Sequence, residues 1–156
     1  PEAQLDRFMF NLWLDYPSTE EEISIVKATT TDYKPNVQSA MNASEIIGFQ
    51  DLVRRVPVAD NVIQYAVKLV RATRPQNNNS KIVKDFLNYG AGPRASQYLI
   101  LGAKTRAAIQ GRFSPEIEDV RAIAASVLRH RIVANFNAEA DNVSPSDIVE
   151  KLIKEI

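Results

Sequence analysis

The sequence predicts a mainly α fold, a helical bundle preceded by one strand, and three observations carry that reading. Phe8, Phe10, Leu12, Leu14 and Tyr16 alternate with Met9, Asn11, Trp13 and Asp15, the period of two that marks a strand with distinguishable faces. After Asp60 the apolar spacing becomes helical, with Val62, Tyr65, Ala66, Leu69, Val70 and Thr73 on one stripe. Helix-start signals recur at Ser18-Thr19-Glu20-Glu21, Gly92-Pro93 and Ser144-Pro145-Ser146-Asp147.

Taken in order, Pro1 to Asp6 reads as helical and leads into the strand, which Pro17 ends. A lone strand cannot satisfy its ladder hydrogen bonds, so this one is expected to belong to a sheet whose other strands lie elsewhere. With Pro1 as an unnatural start, the expectation is a fragment of a longer protein, with a domain boundary at Pro17. Ser18 then caps a short helix reaching about Ala28, where three threonines discourage continuation. Residues 32 to 42 read as a loop around Pro35, and Ala43 to Arg54 as a helix interrupted by Gly48. The helix after Asp60 is stopped by Pro75, and Gln76-Asn77-Asn78-Asn79-Ser80 is a polar loop. Lys81 to Tyr89 forms another short helix.

The helix that begins at Pro93 is expected at the centre of the bundle. Tyr98-Leu99-Ile100-Leu101 is apolar all round, while Gly102, Ala103, Ala107 and Ala108 permit close approach. Ser114-Pro115 opens the next helix, with Val120, Ile123, Ala124, Val127 and Leu128 inward. Ile132 to Phe136 reads as an isolated extended segment, and the last helix presents Ile148, Val149, Leu152, Ile153 and Ile156.

At 156 residues the chain suits one domain with a sizeable core. Nineteen basic residues balance nineteen acidic ones, so no global field favours nucleic acid or an anionic membrane. No apolar run approaches a membrane span, and the start has no signal-peptide pattern. Cysteine is absent, which removes disulfide and thiolate chemistry and is compatible with a reducing cytoplasm. One histidine and no cysteine argue against zinc. His130, between Arg129 and Arg131, reads as helix capping or packing, and a serine nucleophile would need that same histidine as base. Gly90-Ala91-Gly92-Pro93-Arg94-Ala95 matches the dinucleotide fingerprint only formally, because no strand-helix-strand unit surrounds it.

The position that invites chemistry is Arg94. Gly92 and Pro93 suit the N-cap and first position of a helix, so Arg94 falls beside free amides and the positive end of the macrodipole. A cation there costs roughly 0.3–1 kcal/mol, and a bound anion would reverse the sign. Amides, dipole and guanidinium together suit a phosphate, which arginine can grip in a bidentate way. An exposed arginine pairing with a nearby carboxylate is the other reading, and local sequence does not separate the two.

The stretch from Gly90 to Lys104 resembles the sensor-2 helix of MoxR-type ATPases, a branch of the AAA+ superfamily. Pro1-Glu2-Ala3-Gln4-Leu5-Asp6-Arg7-Phe8-Met9-Phe10 is similar to the segment in which that family carries its arginine finger. Leu52 to Val58, Tyr65 to Pro75 and Val127 to Val133 match further, in family order. The resemblance implies that residues 1–16 are the end of the nucleotide-binding core and that residues 17–156 are an all-helical AAA+ lid. It implies Arg94 as sensor 2 beside Gly92 and Pro93, reaching the terminal phosphate, and Arg7 as an arginine finger acting in trans. The bland account of Arg7 is a cation at a helix C-terminus, favourable without any ligand. The resemblance further implies a homo-oligomeric ring, a hexamer, using ATP and Mg2+ for chaperone-like remodelling or maturation of client proteins in the cytoplasm.

No Gly-x-x-x-x-Gly-Lys-Ser/Thr loop occurs, nor an acidic magnesium-binding motif at a strand end. This chain alone is therefore expected neither to bind ATP tightly nor to hydrolyse it. Arg54 and Arg55, Arg71 and Arg74, and Arg129 and Arg131 are lesser candidates for a subunit interface, and Arg106, Arg112 and Arg121 read as a solvated face. Two rivals stand beside this reading. One is a non-enzymatic helical interaction module. The other is a small nucleic-acid-binding bundle, disfavoured because Glu116, Glu118 and Asp119 interrupt the basic stretch and no aromatic residues interleave it.

Overall fold

The computed structural model describes residues 2–32, 34–77 and 80–156. Pro1, Tyr33, Asn78 and Asn79 lie outside the described residues, and with them parts of the two loops expected there. The helices are α1 (Glu2–Leu5), α2 (Thr19–Thr29), α3 (Ala43–Arg55), α4 (Asp60–Ala72), α5 (Lys81–Phe86), α6 (Pro93–Ile109), α7 (Ile117–Leu128), α8 (Phe136–Ala140) and α9 (Pro145–Glu155). Two short strands, β1 (Leu87–Tyr89) and β2 (Val133–Ala134), pair antiparallel. The mainly helical bundle is as the sequence predicts.

Caps account for most helix starts. Ser18 accepts from the Glu21 amide while the Glu21 carboxylate accepts from the Ser18 amide, and Ser144 and Asp147 repeat this reciprocal pattern ahead of α9. The core lies between α4, α6, α7 and α9, where Leu69, Leu99, Leu128, Ile148 and Leu152 are almost wholly enclosed. The stripe read for α4 is buried in full, Thr73 included. At Gly102 an added Cβ would stand 2.5 Å from Ile123 Cδ1, so the small residues of α6 do serve close approach to α7.

Four local expectations give way to tertiary structure. Residues 8 to 16 form no ladder: the segment runs as irregular chain, with the Asn11 amide donating to the Ser126 carbonyl at 2.9 Å. A strand period becomes a strand only beside a partner edge, and among the described residues none flanks this segment. The helix expected from Lys81 to Tyr89 stops at Phe86, because Leu87 to Tyr89 pair with β2. By the same pairing, the extended segment after Ile132 is not isolated. Finally, α7 begins at Ile117 and not at Ser114-Pro115, since Glu116 is its N-cap in a capping box with Asp119.

Candidate functional site

The N-terminus of α6 is held by the C-terminus of α4. Buried Thr73 donates its hydroxyl to the Val70 carbonyl at 2.7 Å and accepts the Ala91 amide at 2.9 Å. Next to it, Arg74 Nε donates to the Ala91 carbonyl at 2.9 Å. This clasp brings the backbones so close that a Cβ on Gly90 would lie 2.4 Å from the Thr73 carbonyl oxygen and 2.7 Å from Arg74 Cα. Gly90 is thus a packing requirement, unlike Gly92, whose added Cβ would meet nothing within 4 Å. Gly92 is the N-cap and Pro93 opens the helix, and no side chain caps this end. Arg94 therefore projects from a rigidly placed first turn.

The Arg94 side chain is 49% exposed, and its Nη1 donates to Asp6 Oδ2 at 2.8 Å. The carboxylate reading of Arg94 is the contact present, and it shows that the guanidinium takes an anionic oxygen at this helix end. A half-exposed pair of this kind contributes on the order of 0–1 kcal/mol, so a phosphate, with stronger charge-assisted bonds, can compete for the donor.

Arg7 follows Asp6 directly, so the two sequence-selected arginines are brought to one end of the bundle. The Arg7 side chain is exposed, with its guanidinium 5.2 Å from the centroid of the Phe8 ring, and its carbonyl accepts the Tyr98 hydroxyl at 2.8 Å. Sequence reasoning did not find what holds this segment. Arg131, whose side chain is 1% exposed, donates from Nε to Asp6 Oδ1 at 3.0 Å and from its Nη atoms to the carbonyls of Asp6, Phe8 and Met9. Burial pushes the Arg131 guanidinium below its ordinary value, opposed by the Asp6 carboxylate. His130 Nε2 lies 3.0 Å from the Phe8 carbonyl, which can only accept, so this nitrogen carries the proton. Its Nδ1 is buried with no partner and burial lowers the ring's pKa, so His130 is a neutral packing group here and no cation at the helix end.

The remaining arginines are less alike than the sequence suggested. Arg54, Arg55 and Arg71 are exposed, whereas Arg74 belongs to the clasp. Arg129 bonds back into its own helix at the Ala125 carbonyl and Ser126 hydroxyl. Arg106 and Arg121 are exposed, as expected of a solvated face, whereas Arg112 is half-buried, and all three are tied to partners. Arg112 grips buried Asp119 with both Nη atoms, Arg106 Nε lies 3.2 Å from the same carboxylate, and Arg121 donates to the Tyr65 hydroxyl over the face of its ring. The Arg112 hydrogen bonds hold the Asp119 carboxyl below the ordinary carboxylate range. The Glu-x-x-Asp spacing of Glu116 and Asp119 was the signal available for this cluster.

Among the described residues, no group of three His, Cys, Asp or Glu side chains could hold a metal, and no helix is long and apolar enough to cross a membrane.

Comparison with known proteins places this geometry. Residues 79–152 match the AAA lid domain. The whole chain aligns with Chaperone MoxR1 of Mycobacterium tuberculosis at 32% identity, covering 41% of that protein, and with the uncharacterized protein YeaC of Bacillus subtilis at 27%, covering 47%. The crystal structure of a candidate ATPase from Cytophaga hutchinsonii superposes over the whole chain with a TM-score of 0.88 at 29% identity, across 48% of its own length. The chain thus spans less than half the length of each of these relatives. With the lid match running from ahead of α5 into α9, and the likeness to the relatives extending over α1 to α4 as well, the chain is similar over its whole length to part of a MoxR-type AAA+ protein and carries an AAA lid domain match within it.

Proposed function

We propose that this chain is the lid portion of an ATPase that binds and hydrolyses ATP as a full-length oligomeric ring, a hexamer, acting on client proteins as a chaperone-like remodelling or maturation factor in the cytoplasm. Residues 1–16 are the end of its nucleotide-binding core and residues 17–156 its lid. The observation that carries the reading is the end of α6. Arg94 stands half-exposed on a first turn without a side-chain cap, anchored through Gly90 and Thr73, and among the described residues it is engaged by the Asp6 carboxylate, which a phosphate can replace.

In this reading Arg94 is sensor 2. It exchanges Asp6 for the terminal phosphate when ATP is bound, with Gly92 and Pro93 beside the nucleotide, and returns to Asp6 when the phosphate leaves. Arg7 is the finger reaching a neighbouring subunit's nucleotide, where neutralising the charge of the transition state contributes about 10³–10⁵ in rate. In this reading the phosphate-binding loop and the Mg2+ ligands come from the rest of the protein.

In the full-length protein, Arg94→Ala and Arg7→Ala should each lower ATP turnover by at least about 10²-fold, with unchanged melting temperature. Mixed rings separate the two roles. Subunits lacking the phosphate-binding lysine, combined with Arg7→Ala subunits, should recover activity at interfaces where an intact finger meets an intact pocket. Wild-type turnover in both single variants would falsify the assignment.

A further inference from the structure

Arg131 is a buried guanidinium whose donors are spent almost wholly on one short segment. It takes the Asp6 carboxylate and the carbonyls of Asp6, Phe8 and Met9, with one bond returned to the Val127 carbonyl at the end of α7, which precedes it. Its guanidinium carbon lies 5.0 Å from the centroid of the Tyr98 ring, and Tyr98 supplies the hydroxyl that meets the carbonyl left over, that of Arg7. Four consecutive carbonyls, from residue 6 to residue 9, are thereby read by Arg131 and Tyr98, with His130 Nε2 adding a second donor at Phe8. The backbone on both sides of Arg7 is fixed while the Arg7 side chain is left exposed. Filling space does not call for this arrangement, because an apolar side chain of similar volume would serve a core at least as well without the cost of desolvating a charge. What five donors in a rigid fork supply, and a methionine does not, is a defined backbone path.

We propose that Arg131, assisted by Tyr98, is a positioning residue for Arg7: it sets the direction in which Arg7 leaves the bundle and registers it against Arg94 through the Asp6 carboxylate that both Arg94 and Arg131 hold. This rests on the reading of Arg7 given above. Arg131 touches no nucleotide itself. Its effect on turnover passes through the segment it grips, and Asp6 stays attached to Arg131 when Arg94 turns to a phosphate.

The test uses the full-length protein with Arg131→Met, which keeps most of the stem and removes the donors, alone and combined with Arg7→Ala. Amide hydrogen exchange at Phe8, whose amide bonds the Leu5 carbonyl, and at Asn11, which bonds Ser126, should quicken about tenfold or more. Amides in the middle of α4 and α6 should keep their protection. Turnover should fall in each single variant, and Arg131→Met should produce no further fall in the Arg7→Ala background, because a residue acting through Arg7 has nothing left to position. Equal losses in both backgrounds, or unaltered exchange at Phe8 and Asn11, overturn the proposal. Wild-type turnover in Arg7→Ala alone overturns the reading beneath it, a failure told apart by exchange that still quickens in Arg131→Met. Should Arg131→Met not fold, Arg131→Lys and Tyr98→Phe enter the same cycle, the first keeping the charge without the fork and the second removing one hydroxyl.

Discussion

Asp119, 2% exposed, accepts two hydrogen bonds from Arg112, an ion-pair contact from Arg106 and the amide of Glu116. Gly111, at φ 71°, turns the chain out of α6 in a left-handed step, with the Arg112 amide bonding Ala107 and the Gly111 amide bonding Ala108, and so delivers Arg112 to the carboxylate. Asp119→Ala strands these donors and should cost roughly 1.5–3 kcal/mol in urea unfolding. Because the carboxyl is held below its ordinary range, its contribution is complete above the unfolded value of about 4 and is lost as pH falls through the depressed folded value. The stability gap between wild type and Asp119→Asn should accordingly narrow below about pH 4, and a gap that widens there contradicts the account. Gly90→Ala makes a second case. With backbone atoms nearer than 3 Å on the far side, it should lose about 1–3 kcal/mol in thermal melts, while Gly92→Ala, facing open space, changes far less. The sequence made the place of Arg94 in the first turn of a helix legible through Gly92 and Pro93, both local signals. It left Gly90, Thr73 and Arg131 unread, since each acts on a backbone group at least 17 residues away, such as the Ala91 carbonyl that Arg74 meets, and no local pattern encodes such a partner.

At the scale of elements, α2, α3 and α9 were read nearly to the residue, whereas α7 was expected to start two residues early and α8 was not expected. Segments decided by partners were read less well. Ser18 and Ser144 carry the same capping box, yet α2 buries none of its residues and α9 buries Ile148, Val149 and Leu152. The same substitution should therefore give different results. Ser144→Ala removes a cap from a helix whose apolar face is part of the core and should lower global stability by about 1 kcal/mol. Ser18→Ala should loosen α2 by circular dichroism or exchange and leave the main unfolding midpoint in place. Equal shifts of the midpoint would mean that α2 unfolds together with the bundle. The Lys81 to Tyr89 segment shows the complementary limit: its helical pattern is sound through Phe86, and beyond that a ladder with Val133 and Ala134, more than 40 positions later, prevails over local preference.

Across the whole molecule, burial divides the chain near Asp60. Before it, Leu12, Trp13, Leu14 and Tyr16 are between 75% and 95% exposed, and α3 leaves Ile46, Ile47, Phe49 and Leu52 roughly half exposed. After it, α4, α6, α7 and α9 enclose one continuous core. Periodicity makes α3 before that division and α4 after it amphipathic alike; what it does not encode is whether a partner face lies within the same stretch of chain. Helical stability in water comes mostly from packing an apolar face and little from propensity, so protection in the isolated chain should follow burial and not helix quality. Amides in the middle of α4, α6 and α7 should exchange only through global unfolding, whereas those of α2 and most of α3 should exchange orders of magnitude faster despite their capping boxes. In the full-length protein α2 and α3 should gain protection if their apolar faces are covered there, with α6 unchanged in rank. Uniform protection from α2 to α9 in the isolated chain would show a single cooperative unit from Thr19 onward, and would require contacts on α2 and α3 strong enough to stand in for the missing burial.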